Sequence, residues 1–333
     1  ASLREQTDRS WVCVVSDDCS DPVSFAAIEA EVGDDPRFVV SRSERRLGFY
    51  RNFERALRMA PADARLVALC DQDDRWYPDK LATLRSAIGE GVLAYGDQRR
   101  IDRAGRVINE TLWRTRRRND SNFASMLLAN TIVGASALFD RRLLDVALPF
   151  PEAPGWQFHD HWLSVVALAC GEIAYVDRPL YDYVQHEGAI VGRVGVEPRA
   201  AWRPAIPRGL ALRGRAVYFR SYLHLVVQAR TILERTGTRL GRRDRRAAAM
   251  LAAADSSILA LIWLALRPLR RLTGRNETLG TETHLLAGLV WRRLVSLAAG
   301  RSTRPVMRLE TELPPFDIDG FGQRRLKRWL AGS

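Results

Sequence analysis

The stretch LVALCDQDDRWYPDKL, residues 66–81, places an apolar run directly before a cluster of three carboxylates. The run itself, residues 66–70, is typical of a strand covered on both faces. Asp71 and Asp73 follow it at once, and Pro78 then begins a predicted helix. Because alternate carboxylates after a strand can share a hard cation, the D-x-D pattern predicts a site for Mg²⁺ or Mn²⁺. A solvated turn is the alternative.

Short apolar runs alternate with amphipathic helical stretches up to about residue 185. The predicted strands are residues 11–15, 38–40, 66–70, 92–95, 133–139, 173–176 and 180–184, and the predicted helices are 22–32, 49–59, 78–88 and 161–169. This alternation predicts a parallel sheet with helices on both faces. Ligands of such sheets bind beyond the carboxyl ends of the strands, where Asp17, Asp18 and Asp71 fall. The polar stretch 99–122 predicts a hairpin and a loop.

After residue 195 the pattern is that of helices, predicted over residues 218–236, 247–266 and 284–299. This change predicts two domains, a catalytic one over 1–195 and a basic, mainly helical region over 196–333. The apolar core of the middle helix, residues 258–266, is far shorter than the roughly 20 residues that span a bilayer.

The charge of the chain is divided unevenly between its two parts. The whole chain of 333 residues carries 51 Lys and Arg against 39 Asp and Glu, a net charge of +12. Residues 199–333 hold 26 of those cations and 9 of those anions, a net charge of +17, which leaves −5 for the residues before them. A basic region predicts an anionic partner, either nucleic acid, anionic lipid or a phosphorylated substrate. Since no helix-turn-helix, zinc or single-strand platform pattern is present, we expect no nucleic acid.

The four cysteines show no C-x-x-C spacing and no paired pattern. Three of them lie in or beside apolar runs, where a reduced thiol acts as a small hydrophobe. The cysteines therefore predict a reducing cytoplasm.

Six segments, in order, carry a resemblance to a known family. They are VVSDDCSD, RRLGFYRNFERAL, LCDQDDRWYPDKL, NTIVGASALF, FHDHWLSVVALACGEIAYVDRPLYDY and VQHEGAIVG. Together they resemble family 2 glycosyltransferases over about residues 2–192, and in particular the rhamnosyltransferase-like enzymes of bacterial surface polysaccharide assembly. The resemblance implies a GT-A fold, which is a Rossmann-like mixed α/β sheet flanked by helices. It also implies that a sugar, with rhamnose as one candidate, is transferred from a nucleotide-diphospho-sugar with inversion at the anomeric carbon.

The resemblance also implies roles for individual residues. Those matching donor-binding positions are Asp17, Asp18, Asn52 and Asp71. Those matching metal-binding positions are Asp71, Asp73 and His186. Asp160 matches the catalytic base. Residues placed to contact the sugar or the acceptor are Trp76, Gly134, His159 and Trp162.

Each assignment has a structural alternative. Asp17 and Asp18 would cap the helix near Pro22, and Asp160 would cap the helix that follows it. His186 would be a loop histidine, and the tryptophans would belong to the core. Cys19 stands where the family commonly has Gly, and the family's first strand and helix are expected to precede residue 1.

The chemistry of inversion agrees with these roles. A hydroxyl must attack opposite the leaving group, so a base is needed across the sugar from the cation. We therefore expect a glycosyltransferase acting on a polysaccharide or lipid-linked acceptor in the cytoplasm, with its basic helices touching the inner face of the anionic membrane. The alternative is a non-catalytic, degenerate transferase that binds a polyanion or a membrane.

Overall fold

The computed structural model describes residues 1–113, 117–153, 155, 157–185, 210–237 and 239–298. Its strands are β1 Cys13–Asp17, β2 Phe38–Arg42, β3 Leu66–Ala68, β4 Arg75–Trp76, β5 Leu93–Asp102, β6 Val107–Asn109, β7 Ala137–Asp140 and β8 Ile173–Gln185. Its helices are α1 Pro22–Val32, α2 Phe49–Arg58, α3 Lys80–Ile88, α4 Phe123–Met126, α5 Leu144–Ala147, α6 His159–Cys170, α7 Leu210–Val217, α8 Leu223–Thr236, α9 Arg242–Ala252, α10 Ile258–Leu266 and α11 Thr281–Ala298.

The larger sheet has six strands and is mixed. Its order is β3-β7-β5-β8-β4, with β6 paired to β5 as the predicted hairpin. Strands β5 and β8 run parallel, whereas β7 runs antiparallel to both β3 and β5. The parallel sheet predicted from alternation alone is therefore wrong, and the mixed sheet implied by the resemblance is confirmed.

Strands β1 and β2 form a separate, parallel two-stranded sheet. Helix α1 connects them, and it begins at Pro22 because Asp21 accepts hydrogen bonds from the backbone N–H groups of Val23 and Ser24. Asp21, and not Asp17 or Asp18, is thus the cap of this helix. None of the residues of α1 is fully buried.

A wide cleft separates the two sheets. Residues 12–16, along β1, and residues 66–69, along β3, both line it. Within the described residues β1 pairs only with β2, so its other edge faces this cleft. The prediction that a first strand and helix precede residue 1 stays a prediction.

The main hydrophobic core joins the six-stranded sheet to the C-terminal helices. It contains Tyr95 of β5, Trp162 of α6, Ile232 of α8 and Leu289 of α11. The helix predicted over 247–266 is broken at residues 253–257, where Ser257 caps α10 through the N–H of Ala260. No helix in the described part of the chain is long and apolar enough to cross a bilayer.

Candidate active site

The ends of both sheets and the start of α6 open into the same cleft. Its volume is about 3140 Å³, several times the 300–1,000 Å³ of a typical small-ligand pocket. Nine of the residues predicted for the site line this cleft. They are Asp17, Asp18, Asn52, Asp71, Asp73, Trp76, Gly134, His159 and Asp160. The fold therefore brings together residues that lie up to 143 positions apart in the sequence.

Asp17 and Asp18 close the end of β1 through backbone hydrogen bonds. The buried carboxylate of Asp17 accepts from the N–H of Ser20 at 3.0 Å. Asp18 accepts from the N–H groups of Leu47 and Gly48, at 2.6 and 2.8 Å. Because Gly48 directly precedes α2, Asp18 fixes the start of that helix against the end of β1.

Asn52 of α2 is held on the same strand end. Its side-chain amide donates to the carbonyl of Ser16 at 2.7 Å, and its oxygen accepts from the Ser16 hydroxyl at 2.7 Å. Arg55, one turn later, also donates to the Ser16 hydroxyl at 2.6 Å. The predicted donor residues on β1 and α2 thus form one connected network.

The acidic turn, Asp71 to Asp74, follows β3 as the sequence predicts. Burial, together with the negative charge of Asp73, raises the pKa of Asp71 to about 6. Burial raises the pKa of Asp74 to about 8, with the charges of Asp71 and Asp73 adding to the effect. Both oxygens of Asp74 are buried without a well-formed hydrogen bond. Such crowded, poorly compensated carboxylates suit a nearby cation.

Lys80 lies beneath the acidic turn with no exposed surface. Its ammonium donates to the carbonyl of Ala135 and lies 3.4 Å from the ring centroid of Trp76. Burial lowers the pKa of Lys80 to about 7, and negative charges at Cys70, Asp74 and Asp71 oppose that change. Lys80 is therefore bonded to the Gly134–Ser136 segment and lies within electrostatic reach of Asp71 and Asp74.

Asp160 lies in the first turn of α6, which Phe158 precedes without a side-chain cap. One carboxylate oxygen accepts from the N–H of His161 at 2.6 Å, and the other accepts from the N–H of Gly134 at 3.3 Å. Burial raises the pKa of Asp160 to about 6, and the charge of Asp71 contributes to the same direction. Asp160 is thus not an N-cap, and it lies within electrostatic reach of the acidic turn.

Gly134 permits the close packing around Asp160. A Cβ atom at this position would lie 2.9 Å from Nε2 of His159 and 3.3 Å from the Cβ of Asp160. The imidazole of His159 stacks on Phe53 of α2, with ring centroids 3.7 Å apart. Because burial lowers the pKa of His159 to about 3, the ring is neutral and joins α6 to α2 as an aromatic surface.

The two predicted tryptophans are both packing residues. Trp162 has no exposed surface and donates its indole N–H to the carbonyl of Ala147 at 2.9 Å. The predicted sugar contact of Trp162 is therefore wrong, because α6 is buried on nearly every face. Trp76 is also buried, and Lys80 covers one face of its ring, so that only part of it reaches the cleft.

The predicted metal ligands are described only in part. His186, predicted to lie near the metal, is outside the described residues. Among the described residues, no group of three His, Cys, Asp or Glu side chains is placed to hold a metal ion.

Sequence reasoning did not assign a role to Asp74 or Lys80. Asp74 was visible only as a third carboxylate in the turn. Lys80 carried a compositional signal, because the chain has just two lysines among 51 basic residues.

Comparisons with known proteins give a family match over part of the chain. Residues 1–147 match the model of the family described as Glycosyl transferase family 2. No curated protein matches the chain.

Two solved structures with a similar fold are distant in sequence. Residues 1–349 of S. aureus TarS, in complex with UDP-GlcNAc, are 16% identical, with 91% of this chain and 87% of that chain covered and a TM-score of 0.48. The mannosyltransferase PcManGT from Pyrobaculum calidifontis, in complex with GDP-Man and Mn²⁺, is 19% identical, with 88% and 81% covered and a TM-score of 0.40. At these values the similarities carry no information about the substrate of this chain.

The family match covers β1 to α5, which hold the acidic turn and Asp17, Asp18 and Asn52. Asp160 lies beyond the matched residues but on the same cleft. The match to glycosyl transferase family 2 thus covers less than half of the chain, and the mixed sheet flanked by helices has the GT-A fold.

Proposed function

We propose that the chain transfers a sugar from a nucleotide-diphospho-sugar to an acceptor hydroxyl with inversion, and that Asp160 is the general base. One observation carries the proposal. Asp160 and the acidic turn line the same cleft, and they lie close enough for the charge of Asp71 to raise the pKa of Asp160. Inversion needs such a pair, a base on the acceptor side and a charge-neutralising group on the leaving-group side.

Asp160 has the properties that a base for an alcohol requires. A carboxylate is a weak base, and a raised pKa improves its ability to take a proton as the new bond forms. Its hydrogen bonds from His161 and Gly134 hold the carboxylate in one orientation. Since the base must be ionised, we expect the rate to rise as the pH increases through about 6.

On the other side of the sugar, Asp73 and Asp71 would hold Mg²⁺ or Mn²⁺. Two carboxylates suffice if phosphate oxygens and water complete the coordination. When bound, the cation would offset the charge that develops on the departing diphosphate. His186 is proposed as a further ligand from the resemblance alone.

The β1 and α2 network would hold the nucleoside. Asp17, Asp18 and Asn52 lie at the carboxyl end of β1, where nucleotides bind in sheets of this kind. Their hydrogen bonds to backbone groups position these side chains at the strand end. Gly134 and His159 are proposed to face the sugar or the acceptor.

The donor sugar and the acceptor are proposed from the resemblance. Rhamnose is the first sugar to try, and a cell-surface polysaccharide or a lipid-linked glycan is the acceptor class. The place of action would be the cytoplasm at the inner face of the membrane, since the region after residue 199 has a net charge of +17.

Nucleoside diphosphate release from a panel of nucleotide-sugars, with Mg²⁺ or Mn²⁺, tests the proposal. We expect Asp160→Asn to lower kcat by about 10²- to 10⁴-fold, because it removes the base. Asp73→Asn should raise the cation concentration needed for half-maximal activity. Asp145→Asn is the matched control, because Asp145 is an exposed carboxylate outside the cleft. Activity of Asp160→Asn within about tenfold of the wild type would contradict the role of the base.

A further inference from the structure

An exposed apolar surface crosses α10 and the 3-10 helix Arg267–Thr273 that follows it. We define the apolar stripe as Ile258, Leu259, Ile262, Leu266, Leu269 and Leu272. Their exposed fractions range from 48% for Ile262 to 85% for Leu272. The opposite face of α10 is ordinary core, since Ala260 and Leu264 are fully buried. A surface helix normally carries polar residues on its outer face, and α10 has none.

The stripe has the dimensions of a helix that lies on a surface. Ile258, Ile262, Leu266 and Leu269 follow one another at helical spacing along one face. Twelve residues of helix extend about 18 Å, which is too short to cross a bilayer but long enough to lie along one. An amphipathic helix in that position buries its apolar face at the boundary between headgroups and acyl chains.

The segment that forms the stripe carries only positive charges. Residues 258–275 contain four arginines and no acidic residue. Arg267 and Arg270 form ion pairs with Glu282 and Glu277, which lie in or before α11. Arg271 and Arg275 are exposed beside the stripe.

These charges select the kind of surface that would cover the stripe. Two copies of this chain meeting through the stripe would bring Arg271 and Arg275 of one copy towards those of the other, and like charges at an interface are costly. An anionic bilayer would accept both the apolar side chains and the arginines.

We propose that the apolar stripe, with Arg271 and Arg275 at its border, docks the enzyme on the surface of an anionic membrane. This inference deepens the proposed function, because it names the surface that would bring the cleft to a lipid-linked acceptor. The side chains of the apolar stripe would insert into the membrane surface, in addition to the attraction between basic helices and anionic lipid. Membrane binding is measured without any sugar donor, so its failure and the failure of the proposed catalysis are distinguishable.

Flotation of the full chain with vesicles tests the proposal. Vesicles of phosphatidylcholine alone are compared with vesicles that also contain phosphatidylglycerol. We expect binding to the anionic vesicles, and a loss of affinity of about tenfold or more for the combined Ile262→Gln, Leu266→Gln and Leu269→Gln variant. The combined Arg271→Gln and Arg275→Gln variant should also bind more weakly than the wild type at low salt. At high salt its affinity should equal that of the wild type, whereas the stripe variant should still bind more weakly.

The combined Val107→Gln and Ile108→Gln variant is the matched control, because these residues are 44% and 41% exposed on β6. It should bind vesicles like the wild type. Circular dichroism and thermal melts confirm that each variant is folded. Unchanged vesicle binding of the stripe variant would overturn the proposal. So would a dimer that the stripe variant converts to a monomer without any change in vesicle binding, because the stripe would then be an interface between two copies.

Discussion

The two sheets that enclose the cleft differ sharply in how they are packed. No residue of α1 or β2 is fully buried, and in β1 only Asp17 is. By contrast, nine of the twelve residues of α6 are buried, and β5 begins with six buried residues. The main core takes its residues from the six-stranded sheet and the helices around it, with none from β1 to β2.

This difference divides the site into two parts with different support. The donor-side residues Asp17 and Asp18 depend on a network of backbone hydrogen bonds. Asp160 lies on the largely buried α6, and Asp73 follows shortly after Leu69, which belongs to the main core. Since local stability follows buried apolar contacts, we expect the donor side to be the softer part. We therefore expect the core to hold the proposed base in place, and the proposed donor wall to be the more adjustable part.

Removing the same side chain from each part is the strongest test of this comparison. Trp162→Ala should lower the free energy of unfolding by about 3–5 kcal/mol, because it empties a large site in the core. Trp11→Ala should cost about 1–2 kcal/mol, since Trp11 is half-buried beside Phe38 and under the guanidinium of Arg37. Urea unfolding followed by circular dichroism measures both.

If Trp162→Ala does not fold, the milder pair Trp162→Phe and Trp11→Phe gives the same ordering. Equal losses for the two positions would mean that the β1–β2 sheet is as tightly supported as the core.

The pH dependence of stability isolates a charged group on the packed side. Burial raises the pKa of Asp160 from 3.8 to about 6 in the folded protein. Folding therefore favours the protonated form, and this contribution is complete below about pH 4 and is lost as the pH rises through about 6. A shift of this size corresponds to on the order of 3 kcal/mol. Asp160→Asn, which stays neutral, should lack this loss.

The comparison is between unfolding free energies of the wild type and Asp160→Asn, measured without divalent cations from pH 4 to pH 7. At pH 4 the two should be alike, because both side chains are then neutral and of similar shape. Above pH 6 the variant should be the more stable protein. Parallel curves over the whole range would show that Asp160 does not titrate in this window.

Local signals in the sequence were sufficient for the elements that local interactions determine. Helix α1 was predicted over 22–32 and lies there, because a capping Asp21, a proline at the first turn and Gly33 at a φ of 57° define its ends. Strand β8 was predicted as two strands, because Asp177–Pro179 resembles a turn. Pairing with β5 carries the strand through, with register shifts at Asp97.

The site could be predicted only in part for a related reason. Asp71, Asp73 and Asp160 stand in motifs, so their types and spacing were informative. The contact of Lys80 with Trp76 and Ala135 depends on tertiary packing, and a fully buried lysine is rare enough that sequence alone argues against it. Trp162 was misassigned because the sequence does not reveal that α6 is covered on nearly every face.

The smallest expected effect concerns Cys19, at the tip of the loop between β1 and α1. Its φ of 60° lies in the left-handed region, which costs a residue with a Cβ about 1–2 kcal/mol. Cys19→Gly removes that cost but adds chain entropy to the unfolded state, so we expect a net gain of no more than about 1 kcal/mol. Cys19→Ala keeps the strain and should give no gain. Thermal melts of the two variants measure the difference, and an equal gain from both would assign the effect to the thiol. A gain from Cys19→Gly alone would show that backbone conformation affects stability in this loosely packed region. In the core, by contrast, stability depends on side-chain volume.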